Sequence, residues 1–386
     1  MIPVGTTRTD MTRIDRYILI ESLPTLLFGL ILYSCLAVVS ATLVRLQWIA
    51  GAPLLEIARW LLWQFPAAVV WALPVALVLS VLLTFGRLSA GNELLAMQVG
   101  AISLRSVTRS LLLLGVLSAL SALSLNEWVL PHTNAKIASS YWRLTTGGNS
   151  GIWRLAQQNL PVEGMTLTFN REDRVTEEMF EVRIERWQDR QLTVIFADRA
   201  IFEQNGLRLF DYQISVIDLE ALEGAVGEPD ELLSRLVRAV NRPASQESSL
   251  HITTSTTLDE LIARYDRGGF EDPRSIRQAF RDARDTNLNP RERRLAAVLW
   301  HRKLAEPFAN LSLLLVALPL SILYGRSRGL AFGLSLVVTL GWYVLFTFGQ
   351  AVSQAGTVPV WFGLWFGNVV LLAIGAVLIV GRIRYR

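Results

Sequence analysis

Apolar positions in this chain gather into long unbroken runs. Six of them, Leu23–Val44, Leu61–Phe85, Val107–Leu125, Phe308–Tyr324, Leu330–Gly349 and Val360–Val380, stand three before and three after one polar block. At about 1.5 Å rise per residue, each is long enough, or nearly so, to cross about 30 Å of hydrocarbon as a helix. None carries the polar stripe of a helix that covers a soluble core. The pattern predicts six transmembrane helices, with the polar block on one side of the membrane between two bundles of three. The first run is far longer than the apolar stretch of a signal peptide and no clear cleavage site follows, so it reads as a retained helix.

Inside the polar block the period changes. Met165, Leu167 and Phe169 alternate with Thr166 and Thr168, and Phe180, Val182 and Ile184 alternate with Glu181, Arg183 and Glu185. Leu192, Val194 and Phe196 follow the turn Gln188-Asp189-Arg190, and Leu207–Val216 follows Asn205-Gly206, a strong hairpin signal. Short antiparallel strands of this kind predict a curled sandwich or jelly roll. Two readings are open for its apolar face: an ordinary core, or a groove between two imperfectly closed sheets that takes acyl chains. Further on, Thr257 caps a helix over Leu258–Tyr265, Asp272-Pro273 opens a second, and Asn289-Pro290 opens a third that runs into the membrane. The expected fold is a membrane α-helical protein of six transmembrane helices with an inserted periplasmic all-β jelly-roll-like domain. Its segments are 1–128 for the first three spans, 129–256 for the β domain, 257–303 for a helical connector and 304–386 for the last three spans.

Composition agrees, with 52% apolar residues and a mean hydropathy of +0.37. Charge sets the orientation. Arg8, Arg13, Arg16, Arg87, Arg105, Arg109, Arg326, Arg328, Arg382, Arg384 and Arg386 all fall on one side of the six runs, against Arg45 and Arg59 in the short opposite loops. Basic residues stay cytoplasmic during insertion, so both termini are expected inside and the polar block outside. The net charge of +4 follows from that bias and gives no sign of nucleic acid. Cys35 is the only cysteine, and His132, His251 and His301 are scattered without metal-ligand spacing.

Within the six runs Arg109 is the one residue among Asp, Glu, Lys, Arg and His, with Glu21 and Glu306 just outside them. Ion-coupled carriers place titratable groups at membrane depth. Neither lysine, Lys136 or Lys303, stands in a phosphate-binding glycine loop. No cofactor is expected, and energy for transport would come from a separate subunit. The docking candidate is the loop between helices two and three, Gly86–Ala101. There Ser89 could cap a short helix and Gly100 end it, Leu94, Leu95, Met97 and Val99 offer an apolar surface, and Asn92, Glu93 and Gln98 stay polar. The alternative is an amphipathic turn lying flat on the inner leaflet, which Glu93 disfavours.

The stretch from Leu73-Pro74 through Gly86-Arg87-Leu88 to Asn92-Glu93-Leu94-Leu95-Ala96-Met97-Gln98-Val99-Gly100 resembles the lipopolysaccharide-export permeases LptF and LptG. Glu127-Trp128-Val129-Leu130-Pro131 at the close of the third helix, Trp300–Pro307 entering the fourth with Pro319-Leu320 along it, and Gly356–Pro359 followed by Trp365-Phe366-Gly367-Asn368 fit as well, although Gly367 stands where proline is expected. The resemblance spans essentially the whole chain. It implies a bacterial inner-membrane permease subunit, not itself an enzyme, that pairs with a second homologous permease chain as a heterodimer or homodimer. It also implies a cytoplasmic ABC ATPase dimer bound below, with ATP held by that partner. Lipopolysaccharide would be taken from the outer leaflet and passed to periplasmic jelly-roll bridge proteins. The ATPase-coupling residues are then Arg87, Glu93, Leu94, Leu95, Met97 and Gln98. A phosphorylated head group needs cations at the outer rim, and Arg45, Lys136 and Arg143 are placed for that, with interfacial snorkelling as the equal alternative. Competing functions are a permease for another envelope lipid and a membrane-anchored scaffold that moves nothing.

Overall fold

The structure, a computed structural model, describes residues 13–100, 104–147, 151–173, 175–188, 191–203, 206–218, 237–241, 249–266, 269–324 and 327–384. Arg8, Arg326 and Arg386 of the basic set lie outside the described residues. The chain divides into two compact units, Met1–Val44 with Gln64–Pro131 and Arg274–Arg386, and Arg45–Trp63 with His132–Pro273. The helices are α1 (Arg13–Leu46), α2 (Leu54–Ala90), α3 (Glu93–Val99), α4 (Leu104–Ser124), α5 (Leu130–Thr146), α6 (Leu258–Tyr265), α7 (Ile276–Arg284), α8 (Pro290–Tyr324), α9 (Arg328–Ala355) and α10 (Val360–Arg384). The strands are β1 (Leu160–Val162), β2 (Met165–Thr168), β3 (Arg171–Glu172), β4 (Met179–Gln188), β5 (Gln191–Glu203), β6 (Gly206–Asp218), β7 (Val237–Asn241) and β8 (Ser249–Thr253).

Six helical stretches are long and apolar enough to cross a membrane: Asp15–Leu46, Leu54–Ala90, Arg109–Thr146, Pro290–Ile322, Gly329–Ala355 and Val360–Val380. With the β-sheet between the third and fourth, the chain is a membrane-helical protein with an inserted curled β domain, the class expected. In the first unit α2 and α8 form the centre. Of their apolar windows 83% and 67% are buried, against 17% for α1. Ala76, Leu77, Val81, Leu82 and Phe85 of α2 and Leu313, Leu314 and Ala317 of α8 belong to one apolar core, with Trp342 and Phe346 of α9 and Leu364 and Leu371 of α10. Gly349 of α9 and Gly363 of α10 bring their backbones together at a point where a Cβ on either would collide with the other helix. Asn368 laces three helices, accepting from Trp342 Nε1 at 2.9 Å and donating to the Ala305 carbonyl at 2.9 Å.

Local sequence explains the connector with one change. Thr257 makes a capping box with Glu260, as its position suggested. The second helix begins at Ser275, three residues after Asp272, because Ser275 and Gln278 close a capping box of their own. Asn289 Oδ1 accepts from Glu292 N–H at 2.8 Å, and α8 then runs on from Pro290 through the fourth span as one helix. The third span also departs from expectation. Glu127–Pro131 does not close it. A π turn, Leu125–Val129, carries the backbone into α5, with the Leu130 N–H donating to the Leu125 carbonyl. Pro131 falls at the second residue of α5, where a missing N–H costs least.

In the second unit all eight described strands belong to one antiparallel sheet, ordered β1-β2-β4-β5-β6-β7, with β3 on β4 and β8 on β6. Residues 189, 190, 204 and 205 of the two expected hairpin turns lie outside the described residues; the strands they join pair as Gln188↔Gln191 and Glu203↔Gly206. The alternation holds: Leu167, Val182, Ile184, Ala197, Leu207 and Leu209 face a core completed by Leu261 and Ile262 of α6, while Phe196 and Trp187 on the other strand positions are exposed. The ladder skips one level across three strands, since Phe180↔Arg199 is followed by Val182↔Ala197 and Ala197↔Tyr212 by Arg199↔Phe210. Glu181, Asp198 and Asp211 stand in that gap, with φ of 54° at Glu181 and 50° at Asp211. Left-handed residues inside strands add local twist, which curls the sheet.

Two polar locks hold this unit. Asp266, its side chain 1% exposed, accepts from Trp142 Nε1 at 2.6 Å and Arg154 Nε at 2.8 Å, and the Arg154 guanidinium lies 4.3 Å from the Trp142 ring centroid. Glu163 and Gly164, at φ 48° and 79°, form the two-residue β1–β2 turn. Glu163 Oε1 accepts from the Ser255 and Thr256 N–H groups at 2.7 and 3.1 Å and from the hydroxyls of Thr254, Ser255 and Thr256. Partial burial pushes this carboxyl up, but the hydrogen bonds from Ser255, Thr254 and Thr256 outweigh it and hold it below the usual carboxylate range.

Asp266→Ala is expected to destabilise the unit by about 2–3 kcal/mol, the loss of two hydrogen bonds to a buried carboxylate, read as lowered hydrogen-exchange protection across β1–β6. The Glu163 lock should be at full strength above the ordinary carboxylate pKa of about 4.3 and weaken as pH falls through the lowered value of the folded state. Protection factors of the Ser255 and Thr256 amides should therefore drop in acid. In Glu163→Gln they should be low already at neutral pH and flat across that window.

Candidate functional site

The loop between the second and third spans is ordered by its own sequence. α2 continues through Ser89 to Ala90, so Ser89 lies inside a helix and is not the cap of the short one. The break comes at Gly91-Asn92, where Asn92 takes φ 55°, a conformation asparagine tolerates. The Asn92 carbonyl accepts from the Ala96 N–H at 2.9 Å, and the Gly100 N–H donates to the Ala96 carbonyl at 2.9 Å, closing α3 where expected. Glu93 is the first residue of α3, the end at which the helix dipole favours an acid.

Glu93 and Arg87 are joined through α1. Tyr17 Oη donates to Glu93 Oε2 at 2.7 Å and accepts from Arg87 Nη2 at 3.1 Å. The other guanidinium nitrogen of Arg87, Nη1, pairs with Glu21 Oε1 at 2.7 Å. Three helices, α1, α2 and α3, thus share one chain of hydrogen bonds. Met97 is half-buried and packs against the core of its unit, whereas Val99 is 82% exposed. The side chains of Leu94, Leu95 and Gln98 lie outside the described residues. Sequence reasoning singled out Arg87 and Glu93, noted Glu21 only as an acid just outside the first span, and passed over Tyr17. Their one signal was spacing: four residues apart, they share a face of α1.

The outer-rim candidates fall in the second unit. Arg45 lies in the last turn of α1, its guanidinium 4.7 Å from the Phe270 ring centroid and 6.0 Å from that of Tyr141, and its Nη2 donates to the Gly269 carbonyl at 3.3 Å. Lys136 and Arg143, seven residues apart on one face of α5, are both exposed. Lys136 Nζ lies 4.5 Å from the Trp63 ring centroid, and Arg143 Nη2 donates to Ser140 Oγ at 3.3 Å. Arg45 is thus built into an aromatic cluster, while the two cations on α5 point outward.

Polar groups that the apolar runs concealed lie ahead of those runs, on the same helices. Asp15 is 1% exposed and accepts from Ser110 Oγ of α4 at 2.6 Å. Lys303 is 2% exposed, its Nζ 3.5 Å from the Asn126 carbonyl in the π turn. A π turn leaves carbonyls without their usual i+4 donors, and Lys303 faces one of them. Arg302 and Glu306 pair along α8 at 3.7 Å. These groups sit ahead of the apolar run Phe308–Tyr324, which itself holds no ionisable residue before Tyr324.

Six spans, a β domain carried within the chain and a short helix presented between the second and third spans define a polytopic membrane permease. The family model for the lipopolysaccharide export system permease LptF/LptG matches residues 16–380, and the chain belongs to that family. It is a multi-pass inner-membrane transport protein of a lipopolysaccharide export complex. Among curated proteins nothing matches the chain.

Proposed function

We propose that the chain is one permease subunit of an ATP-driven exporter, in which α3 receives a cytoplasmic ABC ATPase dimer and the β domain, on the periplasmic side, hands the lipid to bridge proteins of similar fold. The observation that carries this reading is α3 itself. It is a single short helix turned off the end of α2, anchored through Glu93 and presenting Val99 to solvent. The arginines around it, Arg13, Arg16, Arg87 and Arg109, support a cytoplasmic position for this end and for both termini.

The exposed residues of α1, among them Leu27, Phe28 and Ile31, and those of α9, Val337, Leu340, Val344 and Phe348, support pairing with a second permease chain, with lipid entering between the two from the outer leaflet. Hydrolysis belongs to the ATPase partner, and this chain holds no cofactor. Arg45, Lys136 and Arg143 supply cations for the phosphorylated head group. The β7 edge of the sheet offers a strand for pairing with a bridge protein.

Glu93→Lys is expected to abolish lipid-stimulated ATP hydrolysis in the reconstituted complex while the chain remains folded and inserted. Undiminished stimulation would refute docking through α3. Lys136→Ala combined with Arg143→Ala should lower photocrosslinking to a phosphorylated lipid by about two- to fivefold, the scale of exposed ion pairs. The same change against a dephosphorylated lipid would count against a head-group role.

A further inference from the structure

Helix α1 is the least buried of the six spans, and its hydroxyl contacts with α2 fall at one level. Ser80 Oγ donates to the Ser22 carbonyl at 2.7 Å, and Thr25 Oγ1 lies 3.1 Å from Ser80 Oγ and 3.4 Å from Thr84 Oγ1. Pro24 stands at the same level. With no N–H, it leaves the Ile20 carbonyl without its helical donor, which softens that turn. The first turns of α1 are therefore separable from the long apolar remainder. Those first turns are held by the segment around α3: Tyr17 is bound to Glu93 of α3 and Arg87 of α2, and Asp15 is bound to Ser110 of α4.

We propose that Tyr17 is the positioning residue through which a displacement of α3 reaches α1. The proposal rests on the reading that α3 is the docking helix of the ATPase. A carboxylate has two oxygens. Glu93 Oε2 holds Tyr17, and Oε1 is left for a cation of the ATPase, so one side chain serves both contacts. Arg87 bonds the Tyr17 oxygen and leaves its hydrogen aimed at Glu93, while Glu21 fixes Arg87 in turn. Movement of α3 pulls on the first turns of α1, and the turn at Pro24 is where the pull becomes a change of direction in the span.

The test uses the complete complex with its ATPase, reconstituted in vesicles that contain lipopolysaccharide. A spin label is placed on Cys35, which is exposed on α1. ATP is expected to change the label's spectrum in the unmodified chain. In Tyr17→Phe that change should vanish, and lipid delivered per ATP hydrolysed should fall about tenfold, the effect of losing one hydrogen bond to a charged group. The ring remains, so packing is kept. A full spectral response together with unchanged delivery per ATP in Tyr17→Phe would overturn the proposal. Failure of the underlying reading looks different: Glu93→Lys would then retain both the copurified ATPase and its stimulation by lipid, and the proposal would fall with it.

Discussion

A leucine that leaves lipid for a helix interface gains nothing from water exclusion, so the six spans must be held by close backbone approach and by polar groups that bond across helices. Both devices concentrate on the same elements. Gly349 and Gly363 let α9 and α10 touch along their backbones. Asn368 then ties α10 to α9 through Trp342 and to α8 through the Ala305 carbonyl. Tyr343 reaches from α9 to the Trp71 carbonyl of α2 at 2.8 Å. With α8 and α2 already the most buried spans, these bonds leave α1 as the helix with the most surface outside its own bundle. Its exposure follows from how α2, α8, α9 and α10 are fastened to one another.

The second unit answers to water instead. Its core is a half-buried sheet closed by α6, and alternation along each strand decides which side chains enter it. A sheet of strands as long as β5 and β6, 13 residues each, would twist without closing around a core of this size. The gap at Glu181, Asp198 and Asp211 relieves that by interrupting two ladders, β4–β5 and β5–β6, at one level. The carboxylates suit it because they lie at a place where backbone pairing is already lost, and Asn170 Nδ2 satisfies Glu181 at 2.6 Å.

The spans, the capping residues Thr257 and Asn289 and the alternation of β4 to β6 were legible because each rests on neighbours in sequence. The misread features depend on distant partners. Ser89 carries every local mark of a helix cap, but α2 had no reason to stop before Gly91-Asn92. Pro131 looks like a terminator, yet a π turn ending two residues upstream absorbs it, and Asn126 of that turn is engaged by Lys303, far off in the chain. At the site, Arg87 and Glu93 stood out by resemblance. Tyr17 did not, because a tyrosine near the start of a span reads as an ordinary interfacial anchor. Its role comes from what α2 and α3 bring to it.

The chemistry of position 17 suits a contact that must survive at a membrane boundary. A second arginine there would meet Glu93 more strongly, but it would crowd Arg87 and carry a charge into the interface when α3 moves away. A phenol is neutral and rigid, and its oxygen donates and accepts at once. It can therefore stand between the Arg87 cation and the Glu93 anion without cancelling either. Its short donor distance of 2.7 Å to a carboxylate marks the stronger, charge-assisted kind of bond. The ring gives the side chain only two torsions to fix, so a displacement of Glu93 is passed to the α1 backbone with little slack. Glu21, one turn along the same helix, takes up the second nitrogen of Arg87. The cluster thereby keeps one negative charge in excess, and that charge sits on α3.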